Sequence, residues 1–355
     1  VRLVHRFRRS PSAPRQHCHN MASTYSPTFT VLLVTLNYLI NILSTGLIPV
    51  LGYVYAPSPI YFVSGLVLAV CGWMAYISFD GAEFRTGRPD KKFTQTHWLF
   101  MRLREYLSVK LHRTAECQAA LLKANPKGQA IFSFFPHGVN SDFRVLMDGM
   151  MYDAFPATYE KGGPARTLAA TVLFQIPGIR QLSLATACVD AGRKTATRCL
   201  KAGYSLMLCP GGQDEQLETI YGRERVYLKR RAGFIRLAII HGVPVVPAYC
   251  FGSSDLYYTS RLLHGLRVWL VRNLRIALPL YSGGWGMFAY PTPKGMPLPV
   301  PQNIVFGPPL SFPQVAEPSP AEIEKAHDAF IEALVQLFDA HKDEFGCKGR
   351  KLEVL

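Results

Sequence analysis

The sequence has few charged residues for its length and no pattern of paired cysteines. Only 18% of its 355 residues are charged, whereas 49% are hydrophobic, and this balance excludes an intrinsically disordered chain. The eight cysteines include no C-x-x-C pair, which argues against a disulfide scaffold and against a zinc ribbon. We therefore expect reduced thiols and no bound metal. Internal repeats and low-complexity linkers are also missing, so residues 80–355 are predicted to form one domain.

Charge is absent altogether over residues 16–79. Two apolar runs, Thr28–Tyr55 and Ile60–Phe79, lie in this segment on either side of a Pro-Ser-Pro break at 57–59. Each run is about 20 residues or longer, enough for a helix to cross the roughly 30 Å hydrocarbon core of a bilayer. We predict a membrane-embedded helical hairpin over residues 28–79, and a buried hairpin in the core of a soluble domain is the alternative.

The charge outside this segment is strongly basic. The chain has 39 Lys and Arg against 24 Asp and Glu, a net charge of +15. Residues 1–27 form a basic extension without an acidic residue, a composition typical of a disordered tail or of a transit peptide. Because cations also follow the second apolar run, the positive-inside rule places both flanks of the hairpin in the cytosol. The excess of cations indicates contact with a membrane or an anionic ligand, whereas their scatter and the lack of a binding motif argue against nucleic acid.

Short β-rich runs alternate with helical stretches after residue 80, which predicts an α/β domain. The predicted strands are Gln129–Phe135, Leu182–Val189, Tyr204–Cys209 and Val243–Phe251. The predicted helices are His97–Lys123, Asp142–Tyr152, Arg193–Ala202, Arg231–His241 and Ala321–Phe345. The last helix has the clearest start, because Ser319 and Glu322 form a capping-box pattern around Pro320. The stretch Pro279–Pro313 is predicted to be mostly loop.

Candidate catalytic residues lie between a predicted strand and a predicted helix, in the segment F-F-P-H-G-V-N-S-D at 134–142. His137 and Asp142 are five positions apart, which on one straight helix would place them about 140° apart. They can pair only if His137 lies in the loop and Asp142 in the first helical turn. Asp142 would then accept a hydrogen bond from one imidazole nitrogen, and the other nitrogen could take a proton from an alcohol. A capping histidine beside an ordinary aspartate is the alternative.

Two further segments carry residues suited to binding a thioester or a phosphate. P-G-G at 210–212 lets the backbone approach a ligand closely and point N–H groups at it, and Glu215 adds a carboxylate nearby. A tight turn with solvated acids is the alternative there. Cys209, just before the glycines, is either a nucleophile or an inert buried thiol. Three consecutive cations at 229–231 could meet the phosphates of coenzyme A or anionic lipid headgroups.

Together these segments resemble the type-2 diacylglycerol acyltransferase family, which includes monoacylglycerol acyltransferases and some wax synthases. F-P-H-G at 135–138 is similar to the family's H-P-H-G block, and P-G-G-Q-D-E at 210–215 to its P-G-G-x-x-E block. R-A-G-F-I-R-L-A at 231–238 resembles R-K-G-F-(V/I)-(K/R)-L-A, and V-P-A-Y-C-F-G-S-S-D at 246–255 resembles V-P-x-Y-x-F-G-E-N-(D/E). The C-terminal helix and the paired apolar runs also fit. The resemblance extends over Leu32–Phe345, with the blocks in the family's order.

Two positions depart from the family's pattern. Phe135 stands where the family has the first histidine, so His137 is left as the candidate base. Ser253 and Ser254 replace Glu-Asn in the fourth block. The H-x4-D spacing of glycerolipid acyltransferases is retained, which supports Asp142 as the partner of His137.

The resemblance implies a mixed-sheet α/β domain of the glycerolipid acyltransferase type behind the membrane hairpin, with no cofactor besides acyl-CoA as co-substrate. The catalytic residues that it assigns are His137, Asp142 and Glu215. The substrate-binding residues that it assigns are Phe135, Pro136, Gly138, Pro210, Gly211, Gly212, Lys229, Arg230 and Arg231.

The implied reaction is transfer of a fatty acyl group from acyl-CoA to diacylglycerol, forming triacylglycerol in the bilayer. The expected location is the endoplasmic reticulum membrane and the lipid droplet, with the plastid envelope still open, as is a homo-oligomeric state. Two alternatives remain. The acceptor could be a monoacylglycerol or a long-chain alcohol, or the chain could be a non-catalytic lipid-droplet scaffold, which would leave the H-x4-D and P-G-G segments without a role.

Overall fold

The computed structural model describes residues 54, 58–162, 165–274, 277–284 and 297–355. The basic extension at 1–27 and, apart from Val54, the first apolar run Thr28–Tyr55 lie outside the described residues. The division of the chain into extension, hairpin and acyltransferase domain therefore stays a prediction.

The helices are α1 (Pro59–Asp80), α2 (Lys91–Thr96), α3 (Trp98–Tyr106), α4 (Ala115–Ala124), α5 (Asp142–Met147), α6 (Met151–Ala154), α7 (Pro156–Gly162), α8 (Ile179–Ala185), α9 (Arg193–Lys201), α10 (Gly212–Glu218), α11 (Gly233–His241), α12 (His264–Leu274) and α13 (Pro320–His341). The strands are β1 (Lys110–His112), β2 (Ile131–Phe135), β3 (Arg166–Ala169), β4 (Cys188–Asp190), β5 (Leu206–Leu208), β6 (Arg225–Val226), β7 (Val245–Phe251), β8 (Tyr258–Ser260), β9 (Leu280–Ser282), β10 (Asn303–Phe306) and β11 (Glu353–Val354).

Within the described residues, α1 is the one helix long and apolar enough to cross a membrane. Pro59 occupies its first turn, where a fixed φ and a missing N–H cost nothing, and Gly81 ends it in the left-handed conformation at φ 49°. The most apolar part of Ile60–Phe84 has a mean hydropathy of 1.9, and only 6% of that part is buried. Apolar side chains that find no protein partner need another apolar environment.

A buried arginine fixes the end of α1 to the domain. Arg180 on α8 is fully buried, and its guanidinium donates to Asp80 at 2.5 Å and to Glu83 at 2.6 Å. About two turns before Asp80, the indole of Trp73 donates to the carbonyl of Gln175 at 2.6 Å. The orientation of α1 relative to the domain is therefore set by polar contacts along its last three turns.

The domain is built on a seven-stranded sheet in the order β1-β10-β7-β2-β5-β3-β4. The five strands from β7 to β4 run parallel, whereas β10 and β1 run in the opposite direction. Side chains alternate across β2, so that Phe132 and Phe134 enter one hydrophobic core while Ile131 and Phe135 enter the other. The prediction of an α/β domain with a mixed sheet is confirmed.

Some predicted elements are wrong in type. The segment predicted as the strand Leu182–Val189 begins as α8 and becomes β4 only at Cys188, because a short apolar run fits either structure until its packing decides. The predicted helix His97–Lys123 is interrupted by β1, and a new helix starts where the Thr114 side chain accepts from the Cys117 N–H at 3.1 Å. Strand β10, the second strand from one edge of the sheet, lies within the stretch predicted to be loop.

The C-terminal helix matches its predicted start. The hydroxyl of Ser319 accepts from the Glu322 N–H at 3.3 Å, and the Glu322 carboxylate accepts from the Ser319 N–H at 2.8 Å. Phe330 is fully buried between the helix and the sheet, with ring centroids 4.9 Å from Phe234 and 6.0 Å from Phe135. Helix α13 therefore holds the sheet face that lies behind the F-P-H-G segment.

Removal of this ring tests how far the sheet depends on α13. We expect Phe330→Ala to lower the free energy of unfolding by about 3–5 kcal/mol, because it leaves a cavity where three aromatic rings meet. The exposed Glu324 on the same helix is a matched control, and Glu324→Ala should change stability by less than about 0.5 kcal/mol. Denaturant unfolding of the detergent-solubilised chain measures both. Equal losses for the two variants would show that α13 does not support the core.

Candidate active site

Three of the sequence motifs follow neighbouring parallel strands. Strand β2 ends at Phe135 before the His137 loop, β5 ends at Leu208 before P-G-G, and β7 ends at Phe251 before the two serines. Because β7, β2 and β5 are adjacent and parallel, these ends lie at one edge of the sheet, here named the carboxyl edge. Ligand sites of open α/β sheets form at this edge. The fold therefore brings the motifs together.

Glu215 joins two of these segments. It is 1% exposed, and one of its carboxylate oxygens accepts a short hydrogen bond from the backbone N–H of His137. The other oxygen accepts from the backbone N–H of Tyr227 at 2.7 Å. The next residue, Gln216, donates from its amide to the carbonyl of Val139. Helix α10 thus holds the His137 loop through two consecutive side chains.

Glycine is required at two positions because other groups approach the backbone closely. A Cβ at Gly211 would overlap the Glu215 carboxylate, although the backbone there has ordinary helical angles. A Cβ at Gly138 would lie 2.7 Å from the hydroxyl of Ser253, and φ there is +62°. Gly212 is left-handed at φ +52° with no neighbouring atom in the way. The two glycines of P-G-G therefore have different roles. Gly211 leaves space for the Glu215 carboxylate, and Gly212 provides the left-handed backbone of the turn.

The ring of His137 is oriented by its own loop. Nδ1 lies 3.0 Å from the carbonyl oxygen of Gly138, which can only accept, so Nδ1 carries the proton and Nε2 is the basic nitrogen. This is the task predicted for Asp142. Within the described residues the His137 ring and Asp142 share no hydrogen bond, so the predicted direct contact is not formed. Burial lowers the pKa of His137 below its usual 6.5, which keeps the ring neutral at pH 7.

Asp142 is held by a different partner. It is the first residue of α5, as predicted, and its carboxylate accepts from the Tyr257 hydroxyl at 3.0 Å. Burial raises its pKa to about 6, although the Tyr257 hydrogen bond opposes that shift. Tyr281 donates to the side-chain oxygen of Asn140 at 2.8 Å, and the two tyrosine rings meet edge to face at 4.9 Å. The sequence analysis missed both tyrosines, and only the position of Tyr257 just after the fourth family block pointed to one of them.

Burial also decides the charge of the other groups. It raises the pKa of Glu215 to about 7, against the opposing effect of two backbone N–H donors. Burial together with the charge of Glu215 raises the pKa of the Cys209 thiol to about 12. A thiol with that pKa is almost entirely protonated at neutral pH, which favours the inert alternative over the nucleophile.

The three consecutive cations do not share one environment. Arg231 forms a close ion pair with Asp214 on α10. Lys229 and Arg230 are exposed, and the Lys229 N–H donates to the carbonyl of Leu355 at 2.8 Å, which fixes the turn. Through Asp214 and the Glu215–Tyr227 contact, this basic turn is attached to the same helix that holds the His137 loop.

Two predicted substrate-binding residues lie away from the open surface. Phe135 is fully buried. Its ring packs against Phe330, because strand alternation turns position 135 to the side of the sheet that α13 covers. Pro136 is also buried. Their burial argues against contact with a substrate. Pro210 and Gly212 are half-buried beside Gly211, at the carboxyl edge.

The close approach of Gly211 and Glu215 can be tested by adding one methyl group. We expect Gly211→Ala to displace the carboxylate, release the N–H groups of His137 and Tyr227, and lower the free energy of unfolding by about 1–3 kcal/mol. Gly233→Ala is the matched control, because a Cβ there meets nothing within 4 Å. It should be neutral or stabilising by up to about 1 kcal/mol. Thermal unfolding of both variants measures the difference, and an unchanged Gly211→Ala protein would refute the steric role.

Known sequences resemble this chain over most of its length. A human acyl-CoA wax alcohol acyltransferase 2 is 28% identical over 349 residues, which are 92% of this chain and 94% of that protein. A diacylglycerol O-acyltransferase 2 of Dictyostelium discoideum is 30% identical over 298 residues, 79% and 83% of the two chains. The crystal structure of the 1-acyl-sn-glycerophosphate (LPA) acyltransferase PlsC from Thermotoga maritima superposes with a TM-score of 0.39 and 16% identity, covering 88% of this chain and 95% of that one. The sequence model described as diacylglycerol acyltransferase matches residues 58–355, so the chain belongs to the diacylglycerol acyltransferase family.

Proposed function

We propose that this chain is an acyl-CoA-dependent O-acyltransferase that transfers a fatty acyl group to the hydroxyl of diacylglycerol and forms triacylglycerol. Membership of the family supports the reaction class. The observation that carries the mechanism is the tautomer of His137, since its Nδ1–H is engaged by the Gly138 carbonyl and a neutral Nε2 remains to accept a proton. No cofactor besides the co-substrate acyl-CoA enters the proposal.

The reaction needs one proton acceptor and no covalent enzyme intermediate. Nε2 of His137 removes the proton of the acceptor hydroxyl as its oxygen attacks the thioester carbonyl of acyl-CoA. The carbon–sulfur bond then breaks, and the coenzyme A thiolate takes the proton back from the imidazolium. Asp142, at the start of α5, stabilises the transient imidazolium by its charge, and backbone N–H groups around Gly211 and Gly212 stabilise the thioester oxyanion.

Coenzyme A is the proposed ligand of the basic turn. Lys229 and Arg230 extend into solvent and can meet its phosphates, whereas Arg231 already pairs with Asp214 and positions the turn. Because the same helix α10 carries Asp214 and Glu215, phosphate binding at the turn and orientation of the His137 loop are mechanically joined.

The membrane arrangement is part of the proposal. Helix α1 enters the bilayer, and the run at 28–55 forms the other half of a hairpin with both ends in the cytosol. We infer that the enzyme resides in the endoplasmic reticulum membrane and at lipid droplets, close to its apolar substrate. The plastid envelope is the second location to be tested.

The second candidate function differs from the first in the acyl acceptor, which would be a long-chain alcohol or a monoacylglycerol. The human wax alcohol acyltransferase and a human 2-acylglycerol O-acyltransferase 3, 26% identical over 77% of this chain, show that relatives with other acceptors match about as well. The base chemistry is the same for any hydroxyl, so the acceptor must be found by assay.

The reaction test supplies labelled oleoyl-CoA and several acceptors to membranes from a host lacking its own neutral-lipid synthesis. We expect labelled triacylglycerol from the unaltered chain and a loss of about 10²–10⁴-fold in His137→Ala, the usual contribution of a general base. His241→Ala is the control, since His241 ends α11 before β7 begins and lies at the opposite edge of the sheet. Labelled wax ester or diacylglycerol would change the acceptor. No labelled product from a correctly inserted chain would favour the scaffold alternative.

The pH dependence tests Asp142 separately. The mechanism needs a neutral His137 and an ionised Asp142, and both forms prevail above the pKa values of the two groups. We therefore expect acyl transfer to fall as the pH drops through about 6, the pKa of Asp142. Tyr257→Phe removes a hydrogen bond that favours the carboxylate, so the acid limb should move to higher pH. Tyr106→Phe, which removes a surface hydrogen bond to Pro297, should leave the limb in place. An acid limb unmoved in Tyr257→Phe would exclude Asp142 ionisation from the mechanism.

A further inference from the structure

A long stretch around α12 contains cations but no acid. Between Asp255 and Glu317 the sequence has no Asp or Glu. Two of its arginines, Arg261 and Arg272, are exposed at the two ends of α12. A third, Arg267, is turned inward and donates to the Ser260 carbonyl at 2.8 Å. The acid beside this stretch among the described residues is Glu218, 3.8 Å from Arg261 and 3.0 Å from His264, so the outer surface of α12 keeps a positive balance through Arg272.

The same surface is apolar between the arginines. The exposed side chains are Leu262 at 51%, Leu263 at 61%, Leu266 at 53%, Trp269 at 52% and Leu274 at 53%. Within α12, Leu266 and Trp269 lie about 60° apart at 100° per residue, and both are about 100–160° from the buried Arg267 and Val271, whereas Leu262 and Leu263 precede the helix. Single exposed leucines are ordinary on protein surfaces, whereas a contiguous face of leucines and a tryptophan marks an interaction site.

Helix α12 and the apolar helix α1 lie at the same edge of the sheet. Trp73 of α1 bonds to Gln175, which follows the end of β3, while Thr86, after α1, accepts from Arg166 at the start of β3. The chain thus runs from the carboxyl edge towards the amino edge, so the 14 residues before Trp73 extend about 20 Å beyond the carboxyl edge. Strand β8 and α12 follow the end of β7, at this same edge.

The charge pattern decides between two occupants for this face. A symmetric dimer would place the face against itself and bring like arginines together, with only Glu218, which already contacts Arg261 and His264, as a nearby acid among the described residues. A bilayer with anionic headgroups satisfies both features, because acyl chains cover the leucines and phosphates meet the arginines. We propose that α12 lies in the interface of the bilayer that α1 enters, as a second and amphipathic membrane contact of this domain.

The contact would place the lipid surface next to the candidate site. The segment that carries α12 is flanked by Tyr257 and Tyr281, whose hydroxyls donate to Asp142 and Asn140 in the His137 loop. A helix seated in the lipid would thus hold the tyrosines that fix the loop. The proposal concerns membrane contact and does not require acyl transfer.

The test measures the depth of α12 in the full chain. Cys18 and Cys71 are replaced by serine, Trp269→Cys or Leu266→Cys is introduced, and the new thiol carries an environment-sensitive fluorophore. The protein is reconstituted into vesicles of phosphatidylcholine and phosphatidylserine with nitroxide-labelled acyl chains. We expect quenching of both labels to be about threefold stronger than that of a label at Ala329→Cys on α13, which is exposed on a helix packed against the sheet.

Each other outcome overturns the proposal. A label at 269 that is quenched no more than the Ala329→Cys label, and is open to aqueous iodide, means that α12 lies in water. A label shielded from iodide but not quenched by the lipid nitroxide means that a second copy covers the face. The quenching experiment does not measure acyl transfer. A negative result in the acyl-transfer assay therefore does not affect the proposed membrane contact of α12, and a negative quenching result does not affect the proposed reaction.

Discussion

The architecture of the candidate site depends on one buried carboxylate. Glu215 is enclosed by protein, and it is tolerated there because each oxygen accepts from a backbone N–H, one from His137 and one from Tyr227. These donors belong to segments that are far apart in the chain, so a single side chain fixes the distance between the histidine loop and the basic turn. The missing side chain of Gly211 is what makes room for it. The pairing of P-G-G with Glu215 therefore includes a packing requirement at Gly211.

The orientation of His137, the proposed base, follows from the backbone rather than from Asp142. The Gly138 carbonyl selects the tautomer of His137, and Gly138 itself has the left-handed φ of +62° that glycine readily adopts. In the proposed mechanism Asp142 acts through its charge, and Tyr257 holds its carboxylate in place. In this arrangement the Gly138 carbonyl orients the His137 ring, and the proposed electrostatic stabilisation comes from a different group, Asp142. It also explains how Phe135 can replace the family's first histidine, since its side chain enters the α13 core while His137 lies beyond the end of the strand.

The local sequence pattern predicted those elements that are stabilised by neighbouring residues in the chain or that are completely buried. The capping box at Ser319 and the apolar strands at 131–135 and 245–251 are examples, and all three are found where expected. Helix α8 and strand β1 were missed because short segments take the structure that their neighbours in space demand. In the candidate site, the H-x4-D spacing pointed to His137 and Asp142 and the P-G-G segment to Glu215, but neither predicted their hydrogen bonds. Glu215 binds backbone groups, which every residue possesses, and Tyr257 comes from a segment 115 positions away from Asp142.

The position of the site within the fold connects the chemistry to the membrane. The parallel strands gather the His137 loop, P-G-G and the segment before α12 at the carboxyl edge, and Trp73 of α1 contacts Gln175, which follows β3. A diacylglycerol and its product both partition into the bilayer, whereas coenzyme A is polar and stays in water. A catalyst for that pair needs one side of its site turned to lipid and the other to the cytosol. In the proposed arrangement, the exposed Lys229 and Arg230, attached through α10, supply the aqueous side, and α1 with the leucines of α12 supplies the lipid side. His137 lies between them because Glu215 ties its loop to the same helix that carries the basic turn.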